Sequence, residues 1–331
     1  MALISSAVLA PAQRLPIPVL SFPGAPLAGV SVHTMATDAV QQFNVQVALH
    51  RRFGTPVVMT AMDLSLEAEE FGSRVQFADD EIPTVAARLV ENLDAVADLA
   101  VPVVGGKRTA VPLETARRLA GLPDRPPVLG CMIGPLSLAG RLLGVSEALL
   151  ATSTDPEEIL LLIEKATLFL VQYARAFKQA GAHGLIIAEP TAGLLSPRAL
   201  GIFSSPSVKR ILEAVQDSTF DVILHNCGAR IAHLDAILES GARLLHFGKP
   251  MDVTEALRKV PPSTIIGGNL DPAEVFHNGT PQEVAVRTQA LLTAAAAHRN
   301  FFPSSGCDIP PCTSLDNIAA FFEAVAASPH A

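Results

Sequence analysis

The sequence predicts an α/β protein, a (β/α)8 TIM barrel with an insertion after its second strand. Three observations carry that expectation. Short apolar runs at 16–22, 56–61, 128–133, 184–188, 221–224, 243–247, 264–267 and 301–304 alternate with longer amphipathic stretches, the rhythm of a parallel sheet covered by helices. Eight such units close most simply into a barrel. No Gly-x-Gly-x-x-Gly follows an early run, which makes an open doubly wound sheet the weaker alternative.

A chain of 331 residues fits one such barrel. Hydrophobic residues make up 49% and charged residues 17%, with a mean hydropathy of +0.37, enough for an extensive core. No apolar run reaches the roughly 18 to 20 residues of a membrane span. A net charge of −8 without a Lys/Arg cluster argues against nucleic acid as the main partner. Tyr173 is the only tyrosine and Trp is absent, so aromatic stacking platforms are not expected. The four cysteines, Cys131, Cys227, Cys307 and Cys312, are too scattered for a secreted disulfide framework. With no basic stretch before the short apolar patch near the start, the expected location is cytoplasmic.

In chain order, residues 1–16 read as a loosely held N-terminal tail or a first edge element, and 17–331 as a single barrel domain. A helix is expected at 38–53. The longest interval between strands, 61–127, carries further helix-like sequence at 81–100 and reads as an insertion over part of the barrel mouth. More helices are expected at 156–180, 207–216, 231–239, 281–297 and 315–327. Asp155-Pro156 and Thr280-Pro281 put a polar cap before a first-turn proline, and Ser314 can cap the last helix.

Barrel active sites are built from the C-terminal ends of strands. At one of these ends Val222, Ile223 and Leu224 lead into His225-Asn226-Cys227-Gly228. Side chains alternate along a strand, so His225 and Cys227 share a face, and an imidazole with a thiolate suits zinc. Cys307, after the last strand, is a third partner. Three ligands leave one position open, the mark of a catalytic site, and a metal there can deprotonate a bound thiol. The bland reading is that Cys307 is simply buried and His225 caps a loop.

Other strand ends offer Asp63, Glu189, His246, Asn269 and Asp271. Asp63 and Glu67 are four residues apart, either facing the mouth together or serving as ordinary charges at a helix start. Glu189 reads as a carboxylate for the substrate or for orienting a zinc-bound histidine. Cys131 reads as core. Cys312, separated from Cys307 by two prolines, is a poor metal ligand.

The segments 127–140, 185–197, 267–272 and 305–325 resemble, in the same order, those of the uroporphyrinogen decarboxylase superfamily, and the likeness runs from about residue 20. Within it, Met62-Asp63-Leu64-Ser65-Leu66-Glu67-Ala68-Glu69, Leu224-His225-Asn226-Cys227-Gly228 and Ser305-Gly306-Cys307-Asp308-Ile309-Pro310 resemble the zinc methyltransferase branch. Its members move a methyl group from a methylated corrinoid to a thiol such as coenzyme M. The resemblance implies zinc on His225, Cys227 and Cys307. It also implies a corrinoid methyl donor, presented by a corrinoid protein or bound as free methylcobalamin, and a small-molecule methyl acceptor. Asn269 and Asp271 fall in the family's Gly-Asn-Leu-Asp-Pro loop, as architecture first and ligand contact second. Gly24, Ala25, Gly134 and Gly193 would let a bulky corrinoid approach, or serve tight turns.

Two departures stand out. The true decarboxylases carry an arginine-rich motif after strand one, where this chain reads Ser21-Phe22-Pro23-Gly24-Ala25-Pro26, leaving a polycarboxylate without cationic partners. Related zinc methyltransferases tend to have an acidic residue where Gly248 stands. His246, two positions earlier on the same face, either supplies the missing ligand, contacts the substrate, or is a satisfied strand histidine. The rival functions are a uroporphyrinogen decarboxylase-like lyase on a tetrapyrrole-type substrate and a non-catalytic corrinoid- or zinc-binding module.

Overall fold

The computed structural model describes residues 2–10 and 14–328. Seven strands form one curled parallel sheet in the order β1 (Val58–Met59), β4 (Val128–Ile133), β5 (Gly184–Ala188), β6 (Asp221–Asn226), β7 (Leu244–Phe247), β8 (Ile265–Leu270) and β9 (Phe301–Ser305). The two remaining strands, β2 (Val75–Gln76) and β3 (Thr84–Val85), pair antiparallel within the insertion. The expected α/β barrel architecture is therefore present, as a sheet of seven strands instead of eight.

The missing strand is the run at 16–22. It lies along β9, with the Ile17 amide donating to the Pro303 carbonyl at 3.1 Å and the Val19 amide to Ser305 Oγ at 2.9 Å. Its other edge faces Val57 and Met59 across a narrow crevice. Alternate amides of an extended chain point to opposite sides, and on that second side Pro16 and Pro18 have no N–H to give. The segment fills the seam without joining the ladder.

Strand pleating sorts the core into two layers. Leu129, Cys131, Ile186, Ile223, Leu244, Ile265 and Phe302 form the inner cluster. Their neighbours Val128, Leu185, Val222, Leu245 and Phe301 belong to the outer cluster with the helices, as the period of two requires. Cys131 is core, as expected. Burial of this kind contributes about 25 cal/mol per Å² of apolar surface and is the main force holding sheet to helices.

The N-terminal segment is not a loose tail. Within it, residues 1 and 11–13 lie outside the described residues, but Leu3–Leu9 is a helix whose Ile4 and Val8 pack into the inner cluster. The Ser5 amide donates to Asp221 at the start of β6 (2.9 Å). The physical reason is apolar periodicity: residues 4 and 8 share one helical face, and the N-terminal end of the sheet offers it an apolar floor.

Helices form at Ala39–Phe53, Pro156–Gln179, Ser205–Val215, Leu234–Leu238, Pro281–Ala294 and Leu315–Ala326, all at expected places. Thr280 and Ser314 cap as anticipated, Thr280 in a reciprocal capping box with Glu283. The Asp155 side chain makes no cap bond and instead accepts from the Thr154 hydroxyl. The expected helical character of 81–100 is confined to one 3-10 turn, Leu93–Val96. Pro83 withholds a donor, Thr84 and Val85 pair as a strand, and the amides of Leu89 and Val90 both donate to the Leu142 carbonyl. This stretch caps a neighbouring helix in place of coiling itself.

Candidate metal centre

Pleating carries the inner layer upward to the chemistry. Two residues beyond Ile223, Leu244 and Phe302 on the same faces stand His225, His246 and Ser304, and His225 pairs with His246 across β6 and β7. Beyond the strand ends lie Cys227 and Cys307, both half-buried. One ring nitrogen of His225 and the two sulfurs lie within 4.8 Å of one another. The structure thus brings together the three residues singled out as metal ligands.

The donor set fits a thiophilic ion. His225 is 1% exposed; its Nδ1 meets His246 Nδ1 at 2.7 Å, and its Nε2 is buried without a hydrogen-bond partner. An orphaned buried imidazole nitrogen beside two sulfurs is accounted for by a metal-sized guest. The Cys307 thiol hydrogen-bonds Cys227, and with His225 nearby this lowers the Cys227 pKa despite burial. The same contact, with burial, raises Cys307.

Both ring nitrogens of His246 are engaged by neighbouring side chains. The residue is 2% exposed, its Nδ1 is engaged by His225, and its Nε2 meets Ser304 Oγ at 2.7 Å. Burial, then proximity to His225, holds its pKa well below the ordinary imidazole value. Position 248 cannot supply an acid in this backbone, because a Cβ there would collide with the Cys227 carbonyl.

Glu189 is occupied elsewhere. Its carboxylate accepts from the amides of Leu136 (2.9 Å) and Ser137 (3.0 Å) and from the Ser204 hydroxyl (3.0 Å). It caps the helix Pro135–Leu143, and burial raises its pKa. Gly134, expected near the cofactor, makes room for this carboxylate; a Cβ at 134 would overlap Glu189. The other glycines read as possible clearance are also covered, Gly24 by Leu49 and Val45, Gly193 by Gly228.

Asp63 is likewise committed to structure. Its Oδ2 meets Arg108 Nη1 at 2.6 Å, and its Oδ1 accepts from the Ser65 amide at 2.9 Å. Glu67 is fully buried and accepts from the Ile133 amide (3.0 Å), and burial pushes its pKa up to about 8. Asn269 and Asp271 hold loops: the Asn269 amide donates to the carbonyls of Gly248 and Met251. Asp271 caps Pro272–His277 by accepting from Ala273 and Glu274. Neither is free as an evident cofactor ligand.

Sequence reasoning missed Ser304, Arg108 and Asp308. Ser304 had a readable sign, an inward position two residues after Phe302. Asp308 accepts from the Ser21 amide (3.2 Å) and hydroxyl (2.5 Å), tying the Cys307 loop to the seam segment, and burial pushes its pKa up to about 7. No helix among the described residues is long and apolar enough to cross a membrane.

A parallel α/β barrel that gathers a histidine and two cysteines at the C-terminal ends of its strands belongs to the class of barrels whose mouth carries three side chains that could hold a metal ion. Within that class, the chain belongs to the uroporphyrinogen decarboxylase (URO-D) family, whose model it matches over residues 11–328. It is 28% identical over 291 residues to the methylcobamide:CoM methyltransferase MtbA of Methanosarcina acetivorans, covering 86% of this chain and 84% of that one. It is 26% identical over 326 residues to the methylated-thiol–coenzyme M methyltransferase of Methanosarcina mazei, covering 93% and 85%. Uroporphyrinogen decarboxylase of Dichelobacter nodosus is 28% identical over 281 residues, covering 83% and 80%. Among solved structures, a methyltransferase from Methanosarcina mazei superimposes with a TM-score of 0.86 over 98% of this chain and 97% of that one at 20% identity, a likeness of fold.

Proposed function

We propose that this protein is a zinc-dependent methyltransferase that transfers a methyl group from a methylated corrinoid to a small-molecule thiol. The observation that carries the reading is the orphaned Nε2 of His225 facing the sulfurs of Cys227 and Cys307. These three residues hold the zinc and leave one coordination position for the acceptor. Zinc there supplies the positive charge that lowers the acceptor thiol's pKa and makes it a nucleophile at neutral pH. The protein's own part is to fix the ligands and hold the acceptor in line with the methyl carbon. A corrinoid protein or free methylcobalamin presents the donor at the mouth. The names of the Methanosarcina relatives support this reading. Ligand thiols that must stay reduced support a cytoplasmic setting.

The decarboxylase reading has relatives too, but the segment 21–26 contains no arginine for substrate carboxylates. One experiment separates these readings. Purified protein is assayed for bound zinc, then mixed with methylcobalamin and a panel of thiols while the cobalt absorption is followed. Thiol-dependent demethylation is expected, with zinc lost in Cys227→Ala and Cys307→Ala. Zinc that is absent, or indifferent to both substitutions, refutes the reading; bound zinc with no turnover on any thiol or folate favours a binding module.

A further inference from the structure

We infer that His246 and Ser304 are positioning residues of the metal centre. A buried relay from His225 through His246 and Ser304 to the Ser305 carbonyl fixes the tautomer that frees His225 Nε2. The inference rests on the zinc reading above. The links are 2.7 Å between the two Nδ1 atoms, 2.7 Å from His246 Nε2 to Ser304 Oγ, and 3.0 Å from Ser304 Oγ to the Ser305 oxygen.

Each link carries one proton, so the assignments are tied together. A carbonyl oxygen only accepts, and the Ser304 hydroxyl donates to it. With that proton committed, Ser304 Oγ accepts from His246 Nε2–H. Neutral His246 then accepts, at its Nδ1 lone pair, the hydrogen bond that His225 Nδ1–H donates. His225 is left unprotonated at Nε2, the atom that has no partner in the fold. The reversed relay forfeits the bond to the Ser305 carbonyl and leaves an N–H on Nε2, where it excludes a metal.

A metal-bound histidine commonly gives its second N–H to a carboxylate, carbonyl or water. Here an uncharged imidazole receives it, so the negative charge on the ligand set comes from the cysteines alone. The pleat makes this possible by stacking His225, His246 and Ser304 directly beyond Ile223, Leu244 and Phe302.

The test is zinc affinity of the full chain by competition with a chromophoric chelator, together with ¹⁵N ring shifts of the zinc-loaded protein. His246→Leu removes the acceptor and should weaken zinc binding about 10- to 100-fold, with Ser304→Ala losing about five- to tenfold. His246→Gln, which can both accept and donate, should recover most of the affinity. The spectra should place protons on His225 Nδ1 and His246 Nε2. Affinities of both His246→Leu and Ser304→Ala within about threefold of wild type, or a His225 proton on Nε2, overturn the relay. Should His246→Leu not fold, Ser304→Ala and the wild-type spectra decide. Wild-type protein that holds no zinc, or holds it unchanged in Cys227→Ala, defeats the zinc reading and the relay together. Zinc that depends on Cys227 but ignores His246 and Ser304 defeats the relay alone.

Discussion

The carbonyl oxygen of Cys227 occupies the space into which a side chain on Gly248 would project. The loop after β6 and the loop after β7 touch through backbone, and the glycine is what lets them close beside His225, Cys227 and Cys307. Gly248→Asp is therefore expected to destabilise the fold by about 1–3 kcal/mol, the usual cost of overpacking, without tightening zinc. Urea unfolding and chelator competition check the two halves. Tighter zinc in Gly248→Asp would show that the backbone yields and that a fourth ligand can be restored.

Glu189 and Gly134 form a second close pair, and it bears on whether Glu189 is catalytic. Glu189→Ala strips the acceptor from two helix amides and a serine hydroxyl, and a loss of about 2–4 kcal/mol is expected. Gly134→Ala should also destabilise, because the new methyl meets the carboxylate. With the carboxylate removed, that second penalty shrinks, so the double variant should be more stable than additivity predicts. Additive effects would mean the two residues act separately.

The parts of this centre that were legible in the sequence are those set by short-range periodicity. His225 lies near a strand end with Cys227 just beyond it, Cys307 follows another strand end, and soft ligands are few enough to be matched from the sequence. The supporting groups were not legible because their partners come from distant elements. Glu189, Asp63 and Asn269 each sit at a strand end, where a reader expects catalysis, yet each is consumed by amides or a guanidinium that only tertiary packing delivers. The missing strand was legible after all: Pro16 and Pro18, at alternate positions, could not feed a ladder on one side.

Glu67 makes stability depend on pH. Burial raises its carboxyl from the ordinary 4.5 to about 8 in the folded chain. Below about pH 4.5 both states are protonated and the group costs nothing. As pH rises toward 8, the unfolded chain ionises first, and folding loses about 1.4 kcal/mol per pH unit at most. Glu67→Gln keeps an acceptor for the Ile133 amide and cannot ionise. Its stability relative to wild type should increase from pH 5 to pH 8, measured by urea unfolding. A pH-independent difference would mean that Glu67 ionises as readily folded as unfolded.

Asp63 and Arg108 supply the sharpest test of a structural against a catalytic carboxylate. Arg108 reaches Asp63, the Ser65 hydroxyl (2.9 Å) and Glu69, and its guanidinium lies 4.8 Å from the centre of the Phe77 ring. Through these contacts it fastens the insertion to the strand end that precedes it. The Arg108 and Asp63 side chains are only 11% and 2% exposed, so removing Arg108 strands the Asp63 carboxylate away from water, whereas removing Asp63 leaves Arg108 paired with Glu69. Arg108→Met is expected to lose about 3–5 kcal/mol, and Asp63→Asn less, because Arg108 keeps Glu69. The double variant should lose less than the sum, because no unpaired charge remains between these two positions. If Asp63→Asn instead keeps wild-type stability and zinc but loses thiol-dependent demethylation by about a hundredfold or more, Asp63 acts on the substrate and the clamp is secondary.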